Sequence, residues 1–135
     1  VKQLVTFADP EQAIATYLGT CDLGDDVEID SSFPSVSLTG TARFIQVELD
    51  GTPGTPYYLE QPTIRFVAWA PNGRRTAVKA LNSLVRGHLL RHPGDDDVFA
   101  IASLVGRSAV GTDPDTKNLS CWGTVRVSLR PHPAS

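Results

Sequence analysis

QPTIRFVAWAPNGRRTAVKALNSLVRGHLL, residues Gln61 to Leu90, reads as a strand that turns directly into a helix. From Thr63 to Trp69, Ile64, Phe66 and Ala68 fall on one side and Val67 and Trp69 on the other. That two-sided apolar pattern predicts a central strand packed on both faces. Pro71-Asn72-Gly73 breaks it. Val78, Leu81, Val85 and Leu89 then repeat at helical spacing, widened by Ala77 and Leu84. Burying those four side chains is worth roughly 6–10 kcal/mol before entropy. Lys79, Asn82, Ser83 and Arg86 are assigned to the wet side, and His92-Pro93-Gly94 ends the helix.

Upstream, Asp9 is placed to cap a helix that Pro10 opens, with Gln12 positioned to complete a capping box. Ile14, Tyr17, Leu18 and Cys21 form its apolar face, which predicts a helix near residues 10–22. Residues 31–37, holding Phe33-Pro34, read as a loop. Ile45, Val47 and Leu49 alternate with Gln46 and Glu48, a half-buried strand over 42–50. Turn residues fill 51–56, and the loop before Gln61 holds Tyr57, Tyr58 and Leu59, an apolar content unusual for a solvated tip.

Downstream, residues 98–105 are apolar on both sides and predict a second central strand. A polar turn runs from Gly111 to Asn118. In LSCWGTVRVSLR, Leu119 to Arg130, strict alternation predicts a strand of roughly 40 Å. The hairpin over 98–130 is therefore expected either to reach beyond the core or to bend at Gly123. Residues 131–135 read as a frayed tail. Together these segments predict a single α+β domain over 1–135. It has an antiparallel or mixed sheet of about four to five strands, two helices packed against it, and a long C-terminal β-hairpin.

Composition bounds the function. The chain has 135 residues, 41% hydrophobic and 20% charged, with a net charge of −3. This is the balance of a folded domain able to bury a core without staples, and it argues against a dedicated nucleic-acid binder. Cys21 and Cys121 are too few for a disulfide framework and read as reduced, buried thiols. No apolar run approaches the ~18 residues of a membrane span. Nothing at the amino end has the pattern of a signal peptide. The expectation is a cytoplasmic product whose initiator methionine was removed or left out ahead of Val1.

Catalytic signatures are not found. His88 and His92 stand four apart, near Asp95, Asp96 and Asp97, but the glutamate of a zinc-protease helix is replaced by Leu89. A helix-end histidine favourable to the dipole, followed by an acidic turn, is the preferred reading. Asp22, Asp25, Asp26, Glu28 and Asp30 lack calcium-loop spacing and read as a solvated surface. Neither GxSxG nor a phosphate loop occurs, and the Asn118-Leu119-Ser120 sequon is read as chance. Arg74 and Arg75 are oddly placed, because cations at a helix start oppose its dipole. They read as solvated or as contacts for an acidic partner or DNA phosphate, with Arg126 and Arg130 adding to a basic strip.

The order of these segments resembles the tail terminator proteins of long-tailed bacteriophages. The resemblance rests on the capped first helix, the proline-bearing loop and a strand. It continues with Phe66-Val67-Ala68-Trp69-Ala70 running straight into the amphipathic helix, the turn at Asp113-Pro114-Asp115 and the last strand ending in Leu129-Arg130. It covers nearly the whole chain, through order and texture rather than diagnostic residues. It implies an antiparallel sheet with two helices and a six-fold ring that caps the tail tube and ends its growth. The ring would offer a surface for the head–tail connector and leave a lumen through which DNA passes without sequence-specific contact. It implies no catalytic residue, cofactor, metal or membrane partner, and a place in the virion after assembly in the host cytoplasm. Candidate contacts to a neighbouring subunit or partner are Tyr57, Tyr58, Leu59, Arg74, Arg75, Asp113, Lys117, Arg126 and Arg130. The competing readings are another connector or neck protein, a small metal-dependent enzyme built on His88 and His92, and a monomeric binding module presenting the 51–61 loop.

Overall fold

Asp9 caps the first helix as its sequence position requires: its Oδ1 accepts the Glu11 N–H at 3.0 Å, and Pro10 occupies the first helical position. The structure, a computed structural model, describes residues 5–6, 9–51, 63–93, 99–107, 109–130 and 132–133. Helix α1 covers Pro10–Gly19, shorter than the spacing predicts. Thr20 closes it, and Cys21 lies just past the end, its thiol reaching the Tyr17 carbonyl at 3.4 Å. No capping box is seen among the described residues: Asp9 takes the Glu11 N–H, and the Gln12 amide donates to the Thr16 hydroxyl.

The main sheet is mixed. Among the described residues, strand β1, Val5–Thr6, pairs only with β8, His132–Pro133, so part of the expected tail is tied down. The strands of the main sheet are β2 (Val27–Asp30), β3 (Arg43–Gly51), β4 (Thr63–Ala70), β5 (Phe99–Arg107), β6 (Gly111–Thr112) and β7 (Leu119–Leu129). Their order is β2-β3-β4-β7-β5, with β6 paired to the start of β7. All neighbours are antiparallel except β2 and β3. Strand β2 was hidden in the sequence by its acidic residues, although Val27 and Ile29 turn inward between exposed Glu28 and Asp30.

Between β4 and helix α2, Arg75–Leu90, the chain turns at Pro71–Arg74. The Arg74 N–H donates to the Pro71 carbonyl at 3.0 Å, and Gly73 takes φ +83, a left-handed value that glycine adopts without strain. Helix α2 packs on β4, β7 and β5, and α1 on β2 and β3. Both helices share one core. Ile14 and Leu18 of α1 and Val78, Leu81, Val85 and Leu89 of α2 meet Ile45, Val47, Ile64, Phe66, Cys121, Val125 and Val127. The Tyr17 hydroxyl donates to the His88 carbonyl at 2.6 Å, tying the helices together.

Several expectations change at this point. The β4 strand is central, but among the described residues helices cover only one of its faces. Strand β5 is an edge rather than a centre, kinked by register shifts between Ile101 and Ser103 and between Leu104 and Gly106. The long β7 does not project. It is paired along β4 on one side and along β5 and β6 on the other, and Val127, Leu129 and Phe99 are buried near its far end. Asn82 is buried, not wet, and its amide donates to the Cys121 carbonyl at 3.0 Å. Conversely Leu49 and Leu84 are partly open, at 42% and 39% exposure. Tyr57, Tyr58, Leu59 and Asp95, Asp96, Asp97 lie outside the described residues.

Candidate interaction surface

The helix-free face of the sheet follows from strand alternation. Every second residue of β3, β4 and β7 that misses the core points to this side. Register lines them up in rows: Phe44 with Trp69 and Ser120, Gln46 with Val67 and Trp122, Glu48 with Arg65 and Thr124. A chain of contacts runs across these rows. The Trp69 indole N–H donates to Gln46 Oε1 at 3.2 Å, and the Gln46 amide donates to Glu48 Oε2 at 3.3 Å. Glu48 pairs with Arg65 at 3.6 Å, and the Arg65 guanidinium sits 5.3 Å from the centre of the Trp122 ring. The ion pair is half exposed and worth at most about 1 kcal/mol, so its main effect is to orient the two side chains. Phe44, Gln46, Val67 and Thr124 lie among these neighbours and are buried, with no helix of the described residues above them.

A cleft of about 400 Å³ borders this face, lined by Phe33, Gln46, Trp69, residues Gly111–Pro114 and Ser120. Its wall is fixed by Asn118, which is fully buried. The Asn118 Oδ1 accepts the Leu38 N–H at 2.8 Å, and its Nδ2 donates to the Val36 carbonyl at 3.0 Å. The residue read as a chance sequon is therefore the clamp between two loops. Beyond the clamp, Phe33 is 59% and Val36 67% exposed.

Asp113 and Lys117 organise the same turn. The Asp113 carboxylate accepts from the Thr116 hydroxyl at 2.7 Å and the Asp115 N–H at 3.2 Å. These bonds, Thr116 first, hold its pKa below the usual carboxylate range. Lys117 is exposed and has φ +64. Asp113 thus spends its oxygens inside the turn.

The basic strip does not form. Arg74 and Arg75 start α2, at the end of the sheet where Ala70 pairs with Leu119. Arg126 pairs with Thr63, seven residues further along β7, about 23 Å away. Arg126 is exposed and Arg130 half-buried. Arg74 is the N-cap of α2 and makes no side-chain cap bond. It lines a cleft of about 410 Å³ with Asp25, Gly40, Thr41, Arg43, Pro71 and Ala77. Arg75 lines another, of about 540 Å³, with Lys79, Asn82, Ser83, Ala109, Val110 and Cys121.

The two histidines make separate contacts. His88 Nε2 lies 2.9 Å from the Asp22 carbonyl oxygen. The His92 ring stacks on Phe99 at 4.0 Å and meets Tyr17 edge-on at 4.7 Å. Among the described residues no three His, Cys, Asp or Glu side chains converge as metal ligands would. Burial, reinforced by the Cys21 thiol, pushes the Tyr17 hydroxyl above its ordinary pKa. Both cysteines are free thiols, and no helix among the described residues is long and apolar enough to cross a membrane. No protein-family model matches the chain, and comparison with curated proteins finds no match.

Proposed function

We propose that this chain is a structural phage protein of the tail terminator kind. Copies close into a ring at the head-proximal end of the tail tube, end its growth, and offer a surface to the head–tail connector. The observation that carries the reading is the sheet face that no helix of the described residues covers, where two half-exposed tryptophans and Arg65 are held in place on the adjacent strands β4 and β7. Tryptophan and arginine dominate the energetics of protein contacts, and a broad, preoriented face suits a subunit that must match another assembly. The element order adds support: β4 passes through a four-residue turn into α2, and the Asp113–Asn118 turn leads into β7, as the resemblance requires.

The test is mass by light scattering over a concentration series, with metal content measured on the same fractions. Six copies of the 14.5 kDa chain weigh roughly 87 kDa. A discrete, metal-free species of that mass supports the ring. A stoichiometric metal bound to the monomer supports the enzyme reading instead. In a phage lacking the protein, tails of normal fixed length joined to heads would refute the proposal.

A further inference from the structure

Helix α2 carries cations without carboxylates. From Pro71 to Pro93 the chain has Arg74, Arg75, Lys79, Arg86 and Arg91 and no Asp or Glu. Arg75, Lys79, Ser83, Arg86 and Leu90 follow steps of four, four, three and four, so they line one flank of the helix beside its buried stripe. The opposite flank is occupied: His88 reaches Asp22, and Tyr17 of α1 bonds the His88 carbonyl. The cationic flank faces away from α1, over the cleft it forms with Ala109, Val110 and Cys121. Arg75, Lys79 and Arg86 form no ion pair among the described residues. Arg86 Nη1 is shielded from water with no hydrogen-bond partner among them, an unmet donor at the edge of a cationic surface. Leu90, 69% exposed, ends the stripe.

The complementary surface is on the same chain, at the β2 edge of the sheet. Strand β2 exposes Glu28 and Asp30, and the preceding loop adds exposed Asp22, Asp25 and Asp26. Exposed Phe33 and Val36 follow in sequence. Carboxylates two residues apart on a strand repeat every ~6.7 Å. Cations four apart on a helix repeat every ~6.0 Å. Glu28 and Asp30 therefore match Arg75 and Lys79 to within about 1 Å. Direct strand-to-strand joining is disfavoured, since β2 is short and acidic and β5 is bulged twice.

We infer that the Arg75–Lys79–Arg86 flank of α2 docks the Glu28–Asp30 edge of a second copy, head to tail. Joined head to tail, two unlike patches generate a closed ring where the rotation closes and an open row where it does not. The inference rests on the self-assembly proposed above and names the surfaces that drive it.

Two charge-reversed proteins test it, Glu28→Lys with Asp30→Lys and Arg75→Glu with Lys79→Glu. All four positions are exposed, so circular dichroism should match the unaltered chain. Each variant alone should need at least ~10-fold more protein to assemble, because like charges then face each other. An equimolar mixture should assemble at the original concentration with the two chains alternating. Variants with neutral Gln at 75 and 79 should show the same loss in weaker form. If the unaltered chain forms a ring and both reversed variants form it equally well, the patch assignment is overturned while the ring stands. If the unaltered chain stays monomeric throughout, both are overturned.

Discussion

Gly123 is where the core leaves least room, and replacing it by alanine gives a quantitative check on the packing. It lies directly across from Phe66 in the β4–β7 register, with the ring laid over its Cα. A Cβ at 123 would stand 2.5, 2.8 and 3.2 Å from the ring atoms Cζ, Cε2 and Cε1. Ordinary contact needs about 1 Å more, and Phe66 is fully buried in the shared core, so the ring can move only by displacing its neighbours. Such overpacking costs about 1–3 kcal/mol. Gly123 needs no left-handed backbone, so alanine also recovers ~0.5–1 kcal/mol of chain entropy. The net expectation for Gly123→Ala is a loss of about 1–2 kcal/mol, a fall in Tm of roughly 4–8 °C for a chain of this size. Phe66→Leu alone should cost ~1–2 kcal/mol by leaving space. Combined, the two should cost at least ~1 kcal/mol less than their sum, because each relieves the other. Urea and thermal unfolding of all four proteins give the cycle. Additivity within ~0.5 kcal/mol, or a Gly123→Ala protein as stable as the parent, would refute the contact.

Asn118→Ala removes both hydrogen bonds of the loop clamp and should destabilise by about 1–3 kcal/mol. Limited proteolysis should then cut near residues 33–38 faster, whereas unchanged cleavage and Tm would show that the loops hold without it. Asp113→Asn bears on acid stability. The folded pKa of Asp113 is depressed, so its contribution is present above the unfolded carboxylate pKa and is lost as pH falls through the folded one. The variant's stability curve should be flatter over that acid window, and curves that stay parallel to the parent would remove the Thr116 and Asp115 bonds from the account.

What the sequence revealed and what it hid differ in kind. Helix α2 was legible because Val78, Leu81, Val85 and Leu89 satisfy one period over many turns, and α1 because Asp9-Pro10 announces it. The alternation of β7 was equally clear, yet its place in the sheet was not. Strand order is set by long-range pairing, and a strand apolar on both sides can be central, like β4, or an edge whose outer side is simply small, like β5. Strand β2 was lost because solvation and pairing are independent: Glu28 and Asp30 are exposed on a strand whose backbone is bonded to β3. Asn82 was misread, and the clamp role of Asn118 went unseen, for a related reason. A buried amide looks polar in sequence until its partners, the carbonyls of Cys121 and Val36 and the N–H of Leu38, are in place.

The same logic separates the candidate contacts from the core. The helix-covered side of the sheet is continuous hydrocarbon, and its substitution cost is stability. On the other side, where no helix of the described residues packs, Phe44 and Val67 are buried beside Trp69, Trp122 and Arg65. A sheet needing only to be soluble would carry small polar residues there, as β7 does at Ser120 and Ser128. Tryptophans oriented by Gln46 and Arg65 are held in place instead, so a partner of the proposed kind would cost them little further side-chain entropy. If the acidic β2 edge and the cationic α2 flank join copies of the chain as proposed, the aromatic face is left for a different partner. Growth that closes through the edges leaves that face free, which is the arrangement a cap requires.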